Sequence, residues 1–529
     1  MHQYLIELSK YFILIFMLLY MLVSICYFGV RSDGARRAVY AFQRIFMLFM
    51  QFSCFLTLTL VSQDYRYLVF FTMIQFFIFG MIFLVTICFD KADGYLLNHM
   101  CMLLGIGLCM IARLSGIGTQ TRFLASKALR QYVIAAVSLF IAMLVAYLFL
   151  KLNFLRKLSL LYAAAGIALL SAVLVLGSVT HGSKISYTLF GITFQPSEFV
   201  KIIFVFFLAS ALWKKASFGR VFLTAAAAGL HVVILTVSRD LGSAVIFFVA
   251  FVIIVFAASG NFIYPLLGIL GGGAASYAAY RIFDHVRVRV LAWWDPWTYI
   301  DDQGYQVTQS LFAVGSGNWF GMGLLKGNPK AIPFVEVDMI FSSICEEMGV
   351  LFGICVIMIC IFCFLEIVMI SLKTEDMFYR LIAFGIGAVY IFQVFLTIGG
   401  GIKFIPLTGI TLPFVSYGGS SVMTSMLMFF IVQAIHIRYR EQEINIRQKP
   451  EEQPQEEELQ EASDDDPSQA ERQETHDDPA QEELQEASGQ PREEKMQEAS
   501  DQTQEKEIQA AEEQDGGTEE QIQQNCDQG

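Results

Sequence analysis

Residues 339–371, MIFSSICEEMGVLFGICVIMICIFCFLEIVMIS, decide the fold class, because a run this long and this apolar needs a lipid bilayer around it. A helix of about 20 residues crosses a hydrocarbon core roughly 30 Å thick, and the start of this run is also compatible with a helix outside the membrane. The rest of the chain predicts spans near 11–30, 38–61, 67–89, 95–113, 131–150, 158–177, 196–213, 221–237, 242–258, 262–280, 380–400 and 413–437. We therefore predict an all-α polytopic membrane protein.

Composition and charge divide the chain into a membrane part and a tail. Hydrophobic residues make up 55% of the chain and Phe alone contributes 48 of 529 positions, which excludes a soluble enzyme with one anchor. Residues 441–529 carry 30 Asp and Glu against 6 Lys and Arg, and they repeat EELQEAS at 457–463 and 482–488. This composition predicts a disordered acidic tail. A solvated, dispensable extension is favoured over a partner-binding arm.

Positive charges predict the topology. The basic segments at 31–37, 151–157, 214–220 and 437–449 would be cytoplasmic. The C-terminus is then cytoplasmic, the N-terminus is outside, and the loops at 178–195, 281–338 and 401–412 share the outer face. The basic segment 114–130 disagrees, and either an amphipathic surface segment or a miscounted span would explain it.

Polar and charged residues are concentrated in the segment that leads into the apolar run 339–371 and overlaps its start. Residues 304–349, GYQVTQSLFAVGSGNWFGMGLLKGNPKAIPFVEVDMIFSSICEEMG, combine glycines, amides, lysines and carboxylates between spans. Irregular backbone cannot face lipid, so this segment must lie outside the membrane or line a cavity. The cysteines and histidines are scattered, and we predict no metal site formed by these side chains.

Ionisable residues inside predicted spans are a second signal. Glu198 and Lys201, in TFQPSEFVKI, stand three residues apart on one helix face, and such pairs usually face a cavity. A structural ion pair that locks two helices is the alternative. Asp240, in SRDLGSA, could pair with Lys201, shape a polar pocket or cap a helix.

The segment 399–421, GGGIKFIPLTGITLPFVSYGGSS, is predicted to be a loop that dips toward the start of the last span. Exposed N–H groups at such a helix start favour anions. Small residues that serve tight packing would give the same string, so both interpretations stay open.

QPSEFVK, RDLGSA, GYQVTQSLFAVGSG, the DMIF and EEMG segment and LTGITLPFVSYGGSS together resemble the SEDS family, whose members include RodA, FtsW and SpoVE. The resemblance implies a ten-span glycosyltransferase core at 96–440, preceded by an added block of about three helices at 1–95. It also implies a bacterial cytoplasmic membrane enzyme that polymerises lipid II into peptidoglycan strands, as an inverting transferase with undecaprenyl pyrophosphate as the leaving group. The implied role lies in cell division, elongation or sporulation.

The resemblance also implies site residues. The essential aspartate of the family falls on Asp338, and other motif positions fall on Glu198, Lys201 and Asp240. The sequence departs from the family pattern at Phe334, Glu336 and Arg239. As further substrate-binding residues we predict Arg287, Arg289, Gln306, Gln309, Lys330, Ser416, Tyr417 and Gly418.

The chemistry of glycosyl transfer also favours Asp338 as a catalytic residue. Glycosyl transfer needs a sugar hydroxyl to attack an anomeric carbon, and a carboxylate within reach can accept the hydroxyl proton. We expect Glu336 to raise the pKa of Asp338 if the two are close, and the basic residues Arg287, Arg289, Lys326 and Lys330 to stabilise the departing pyrophosphate. A divalent cation, Mg or Mn, could share that role. A helix N-cap is the alternative role of Asp338.

The resemblance implies a class B penicillin-binding protein, a transpeptidase, as partner, with lipid II as substrate and other divisome or elongasome membrane proteins nearby. No nucleic acid is expected. Two other functions stay open: a transporter or flippase of the lipid-linked precursor, and a non-catalytic scaffold for a transpeptidase.

Overall fold

A computed structural model describes residues 2–30, 32–116, 126–180, 183–189, 192–214 and 216–448. Residues 117–125 of the basic segment 114–130 and residues 449–529 of the acidic tail lie outside these residues. Disorder was predicted for the whole of 441–529, but residues 441–448 continue the last helix. The helices are α1 His2–Cys26, α2 Asp33–Ser62, α3 Arg66–Cys88, α4 Gly94–Ser115, α5 Lys127–Lys151, α6 Ser159–Leu176, α7 Pro196–Leu212, α8 Phe218–Val237, α9 Leu241–Ser259, α10 Ile263–Ile282, α11 Asp284–Trp294, α12 Tyr305–Gly317, α13 Ile340–Met348, α14 Val350–Lys373, α15 Met377–Gly401 and α16 Gly419–Gln448.

The membrane class is confirmed. Ten of the described helices are long and apolar enough to cross a bilayer, and this is a multi-pass membrane protein. Each of the predicted spans contains a helix. Among these helices α6 and α7 are short, with 18 and 17 residues, and α10 is glycine-rich. The most buried of these helices is α4, which is buried along its whole apolar length, and α15 and α16 are mostly buried as well.

The deciding run differs from its prediction, because it divides into two helices. Gly349 separates α13 from α14 with φ of 94°, a conformation that glycine adopts without steric cost. A Cβ at this position would lie 2.5 Å from the carbonyl oxygen of Trp319. Segment 318–320 therefore passes close to the break, and Val350 N donates to Asn318 O at 2.9 Å.

The loops also contain structure that the sequence did not predict. Three strands in the loop 178–195 form an antiparallel sheet, with β1 Ser178–Thr180, β2 Ser183–Leu189 and β3 Ile192–Phe194 in that order. The long loop 281–338 contains α11 and α12.

Segment 402–418 enters the helix bundle, as predicted for a loop that dips inward. Two side chains in the C-terminal part of α15 bond to the backbone of this segment: Gln393 Nε2 donates to Thr411 O at 3.0 Å, and Thr397 Oγ1 donates to Ile410 O at 3.0 Å. Irregular backbone at this depth is tolerated because protein covers it. The last helix begins at Gly419, after this segment, rather than at 413.

The two ends of the described chain lie at opposite ends of the bundle. The first turns of α1 contact segment 320–326, whereas Glu441 of α16 pairs with Lys91 at 3.9 Å, close in sequence to the buried Asp93. Which end faces the cytoplasm stays a prediction.

Candidate active site

Asp338 lies in the turn that precedes α13, and only 7% of its surface is exposed. Gln306, from the first turn of α12, donates through Nε2 to the two carboxylate oxygens at 3.3 and 3.4 Å, and to Pro333 O at 3.3 Å. The N-cap of α13 is Met339, with no side-chain cap. The predicted alternative, that Asp338 caps this helix, is therefore wrong.

Burial raises the pKa of Asp338 to about 7, although its own backbone N–H, Gln306 and the positive charge of Arg289 act in the opposite direction. A carboxyl group with a pKa near the working pH can exist as the base and still take up a proton with little driving force against it. Asp338 thus has the electrostatic character of a general base.

Glu336 does not cause this shift. Its carboxylate forms an ion pair with Lys127 at the start of α5, and its carbonyl oxygen accepts a hydrogen bond from Tyr417 N at 2.7 Å. The expectation that Glu336 raises the pKa of Asp338 is replaced by burial as the cause. Glu336 instead fixes the turn before Asp338 to two other elements.

Arg289 connects Asp338 with Asp240. Burial lowers the pKa of Arg289, and the nearby carboxylates of Asp240 and Asp338 oppose that shift. The guanidinium is held by Nη1, which donates to Leu407 O at 3.3 Å and to Thr408 O at 3.2 Å. A positive charge held by two carbonyl groups therefore lies close enough to both carboxylates to interact with them, and it could meet an anionic group of a substrate.

Asp240 is a helix cap with additional bonds. Its Oδ1 accepts from Ser243 N at 3.1 Å at the start of α9. Its Oδ2 accepts from Ser197 Oγ at 2.8 Å and from Gln195 Nε2 at 3.3 Å. The capping interpretation is confirmed, and Asp240 links the starts of α7 and α9.

Glu198 and Lys201 form a buried ion pair inside the bundle. Lys201 Nζ lies 2.9 Å from Glu198 Oε2 and donates to Gln393 Oε1 of α15 at 2.7 Å. Thr424 of α16 donates to Glu198 Oε2 at 3.0 Å. This arrangement matches the alternative of a structural ion pair, here joining three helices, and a role in substrate binding stays a prediction.

The segment at 416–418 is tied to α5 by Gln131, which sequence reasoning missed. Gln131 Nε2 donates to Ser416 O at 3.1 Å, and its Oε1 accepts from Gly418 N at 3.3 Å. Tyr417 lies under the Lys127 ammonium, 5.9 Å from the ring centroid. The sequence signal for Gln131 was an uncharged amide at the start of an otherwise apolar span.

Three other predicted substrate-binding residues form no hydrogen bond or ion pair with Asp338 among the described contacts. Arg287 is exposed and pairs with Asp284 at 3.4 Å, because it lies two positions from Arg289 and on the other side of α11. Lys330 is exposed in the turn Pro329–Ala331, and Gln309 is half-buried on α12. The substrate roles of these three residues stay predictions.

A polar cavity of about 350 Å³ lies next to Asp240, lined by Val237, Arg239, Ile282, Phe283, Asp284 and His285. Burial and the positive charges of Arg239 and Arg289 lower the pKa of His285. His285, which had no recognisable sequence motif, thus belongs to the polar surroundings of the site.

Backbone strain surrounds the same region. Arg239, Phe334 and Phe414 have φ of 65°, 55° and 64°, a conformation that is uncommon for residues other than glycine. Such strain persists where the surrounding structure enforces it, and it clusters at functional sites. Arg239 and Phe334 are two of the positions at which the sequence departs from the family pattern.

Metal-binding side chains do not gather at this site. Within the described ranges, no group of three or more His, Cys, Asp or Glu residues could hold an ion. Magnesium usually takes one or two carboxylates together with substrate phosphates and water. A cation at the pyrophosphate would therefore depend mainly on the substrate for its ligands, and it stays a prediction.

The chain is similar in sequence to proteins of a known family. Residues 94–441 match the FtsW, RodA and SpoVE family, described as cell cycle proteins. The chain is 31% identical over 367 residues to peptidoglycan glycosyltransferase RodA of Mycobacterium bovis, covering 65% of this chain and 77% of the relative. It is 32% identical over 346 residues to stage V sporulation protein E of Bacillus subtilis, covering 62% and 92%.

A probable peptidoglycan glycosyltransferase FtsW of Hydrogenovibrio crunogenus is 31% identical over 360 residues, covering 65% of this chain and 90% of that protein. Among solved structures, a chain from a study of the structural coordination of polymerization and crosslinking by a peptidoglycan synthase complex has a TM-score of 0.55 at 23% identity. That match covers 66% of this chain and 98% of the other, and it shows the shared fold.

Proposed function

The chain belongs to the FtsW, RodA and SpoVE family, and we propose that it is a peptidoglycan glycosyltransferase that polymerises lipid II at the outer face of the cytoplasmic membrane. The observation that carries the proposal is Asp338: a buried carboxyl group with a pKa near 7, beside the fixed charge of Arg289 and outside any helix-capping role. These are the properties that a base for glycosyl transfer requires.

In the proposed reaction, a hydroxyl of the acceptor sugar attacks the anomeric carbon of the donor sugar. The bond from that carbon to the pyrophosphate oxygen breaks, the new glycosidic bond forms on the opposite face, and the hydroxyl proton passes to Asp338. Gln306 would hold the carboxylate in place. Arg289, fixed by the carbonyl groups of Leu407 and Thr408, would stabilise negative charge on the departing pyrophosphate.

The proposal includes a transpeptidase partner of the class B penicillin-binding type. One solved relative of the same fold comes from a peptidoglycan synthase complex, which supports a partner that crosslinks the strands. The role in division, elongation or sporulation stays a prediction, since relatives named RodA, FtsW and stage V sporulation protein E all match.

A transporter of the lipid-linked precursor is the second candidate, favoured by the ionisable pair Glu198 and Lys201 at membrane depth. The bonds of this pair to Gln393 and Thr424 support a role in helix packing instead. A transporter would need these charges to be freed during its cycle.

One experiment separates the two functions. Purified full-length protein is given fluorescent lipid II, with and without a co-purified transpeptidase, and glycan chains are separated on a gel; the same protein in proteoliposomes is tested for lipid II crossing. We expect polymer from the wild type and none from Asp338→Ala. Lipid crossing that depends on Lys201, with polymer absent from every sample, would support the transporter and contradict the glycosyltransferase.

A further inference from the structure

The first two turns of α1 bind the outer segment that precedes Asp338. Glu7 Oε1 lies 2.6 Å from Lys326 Nζ, and Glu7 Oε2 lies 2.7 Å from Lys10 Nζ. Lys10 Nζ also donates to Gly321 O at 3.4 Å. Because the family match begins at residue 94, this contact comes from a helix outside the part of the chain that the family shares.

Apolar packing accompanies the ion pairs. Ile6 is buried, and a Cβ on Gly323 would lie 2.3 Å from its Cγ2 atom. Gly323 has φ of 98°, which also favours glycine. The rings of Tyr11 and Phe320 lie 5.9 Å apart. The contact is therefore close-packed, and an exposed ion pair alone does not describe it.

The same outer segment, residues 318–328, also caps α13. Met322 N donates to Glu346 O, and Gly323 N donates to Glu347 O, each at 2.9 Å. The two glutamates reciprocate through their side chains: Glu347 Oε1 accepts from Leu325 N at 3.1 Å, and Glu346 Oε1 accepts from Asn328 N at 2.8 Å. Segment 318–328 thus lies between α1 on one side and the C-terminal end of α13 on the other.

Asp338 stands just before the N-terminal end of α13, so a displacement of this nine-residue helix would also move the backbone that carries the carboxylate. Arg113 of α4 holds the same helix by an ion pair of 2.8 Å with Glu347. Two supports therefore meet at the end of α13: one from the family core, and one from α1 through segment 318–328. A misplacement of about 1 Å at a reacting group can reduce a rate by roughly 100-fold.

We propose that α1 positions the catalytic turn, with Glu7 and Lys326 as positioning residues that act on Asp338 through segment 318–328 and α13. This inference rests on the proposed function of Asp338. It explains what the first helix of the added N-terminal block does, since α1 holds the outer segment against α13 and thereby keeps Asp338 buried and correctly placed. Lys326 then serves the protein's own packing rather than the leaving pyrophosphate.

A charge-reversal cycle tests this inference in the full-length protein. Glu7→Lys and Lys326→Glu each place like charges together, and the double variant restores an attractive pair. We expect each single variant to lower kcat for lipid II polymerisation by about two- to five-fold, the range of a partly exposed ion pair, and the double variant to recover most of that loss. Lys91→Glu is the matched control, because Lys91 is a half-exposed lysine paired with Glu441 at the other end of the bundle.

The pH profile distinguishes positioning from general destabilisation. If segment 318–328 loosens, Asp338 becomes more accessible to water, and the rise of kcat with pH moves to lower pH in the single variants. Lys326→Met replaces Lys326→Glu if the latter does not yield a monodisperse protein.

The results of these assays distinguish failure of the positioning role from failure of the proposed function. Wild-type kcat and pH profile in both single variants would overturn the positioning role. A double variant no faster than Lys326→Glu alone would also overturn it, and would return Lys326 to a direct role at the pyrophosphate. Absence of polymer from the wild type, or full polymer from Asp338→Asn, would instead refute the proposed function.

Discussion

Replacing Asp338 by asparagine should stabilise the folded protein at alkaline pH while it removes activity. The carboxyl group is 7% exposed, and burial raises its pKa from the usual 3.8 to about 7. Asparagine has nearly the same shape and its Oδ1 can still accept from Gln306. The variant therefore removes the free-energy cost of ionising a buried carboxyl group, and it keeps the packing.

The pH dependence follows from proton binding. Between pH 3.8 and about 7 the unfolded chain has lost the Asp338 proton while the folded protein still holds it, so the wild type loses stability as pH rises through this window. A shift of about three pKa units corresponds to about 4 kcal/mol at 1.36 kcal/mol per unit, as an upper limit. The advantage of Asp338→Asn should be near zero at pH 4 and reach its maximum above pH 7.

Thermal unfolding in one detergent, measured at pH 5, 6.5 and 8, tests this prediction. Asp301→Asn is the control, because Asp301 is an exposed aspartate of the loop 281–338, which also contains Asp338. A Tm difference between Asp338→Asn and the wild type that does not grow with pH, or a variant less stable than the wild type at pH 8, would refute the burial of an ionisable Asp338.

Three further variants test the surroundings of the site. Gln306→Ala removes a donor that favours the ionised carboxylate, so the pKa of Asp338 should rise and the rise of kcat with pH should move up by about one unit or less. Arg113→Met leaves Glu347 buried without its partner and should lower stability by about 3–5 kcal/mol, measured by denaturant unfolding; an unchanged midpoint would contradict the buried pair. Lys201→Met should reduce the yield of monodisperse protein, and adding Glu198→Gln should restore it with near wild-type KM; a folded double variant with a strongly raised KM would instead show that the pair binds substrate.

The helices could be predicted from the sequence because the bilayer imposes a minimum length on each apolar run. What the apolar pattern could not show was the break at Gly349, since a glycine in an apolar run also fits a continuous helix. The short helices α11 and α12 were missed because they are too short to span a bilayer and lie in a loop, so the apolar run length that marks the spans does not mark them.

The candidate site could be predicted only in part. Asp338 stood out through its motif and its position beside a span. Sequence spacing could not separate Arg289, which lies near Asp338, from Arg287, which faces away, because only the direction of α11 decides between them. The pair of Glu7 and Lys326 joins residues 319 positions apart, and no local pattern records such a contact.

In the proposed reaction, ionised Asp338 takes the proton of the attacking hydroxyl, and the pH dependence of the polymerisation rate of purified lipid II reports on that step. The wild type and Asp301→Asn should show a rate that rises with pH through about 7, and Asp338→Asn should be slower by at least about 100-fold at every pH. A wild-type rate that is flat from pH 5.5 to 8.5, or an asparagine variant within a few-fold of the wild type, would show that Asp338 is not the base.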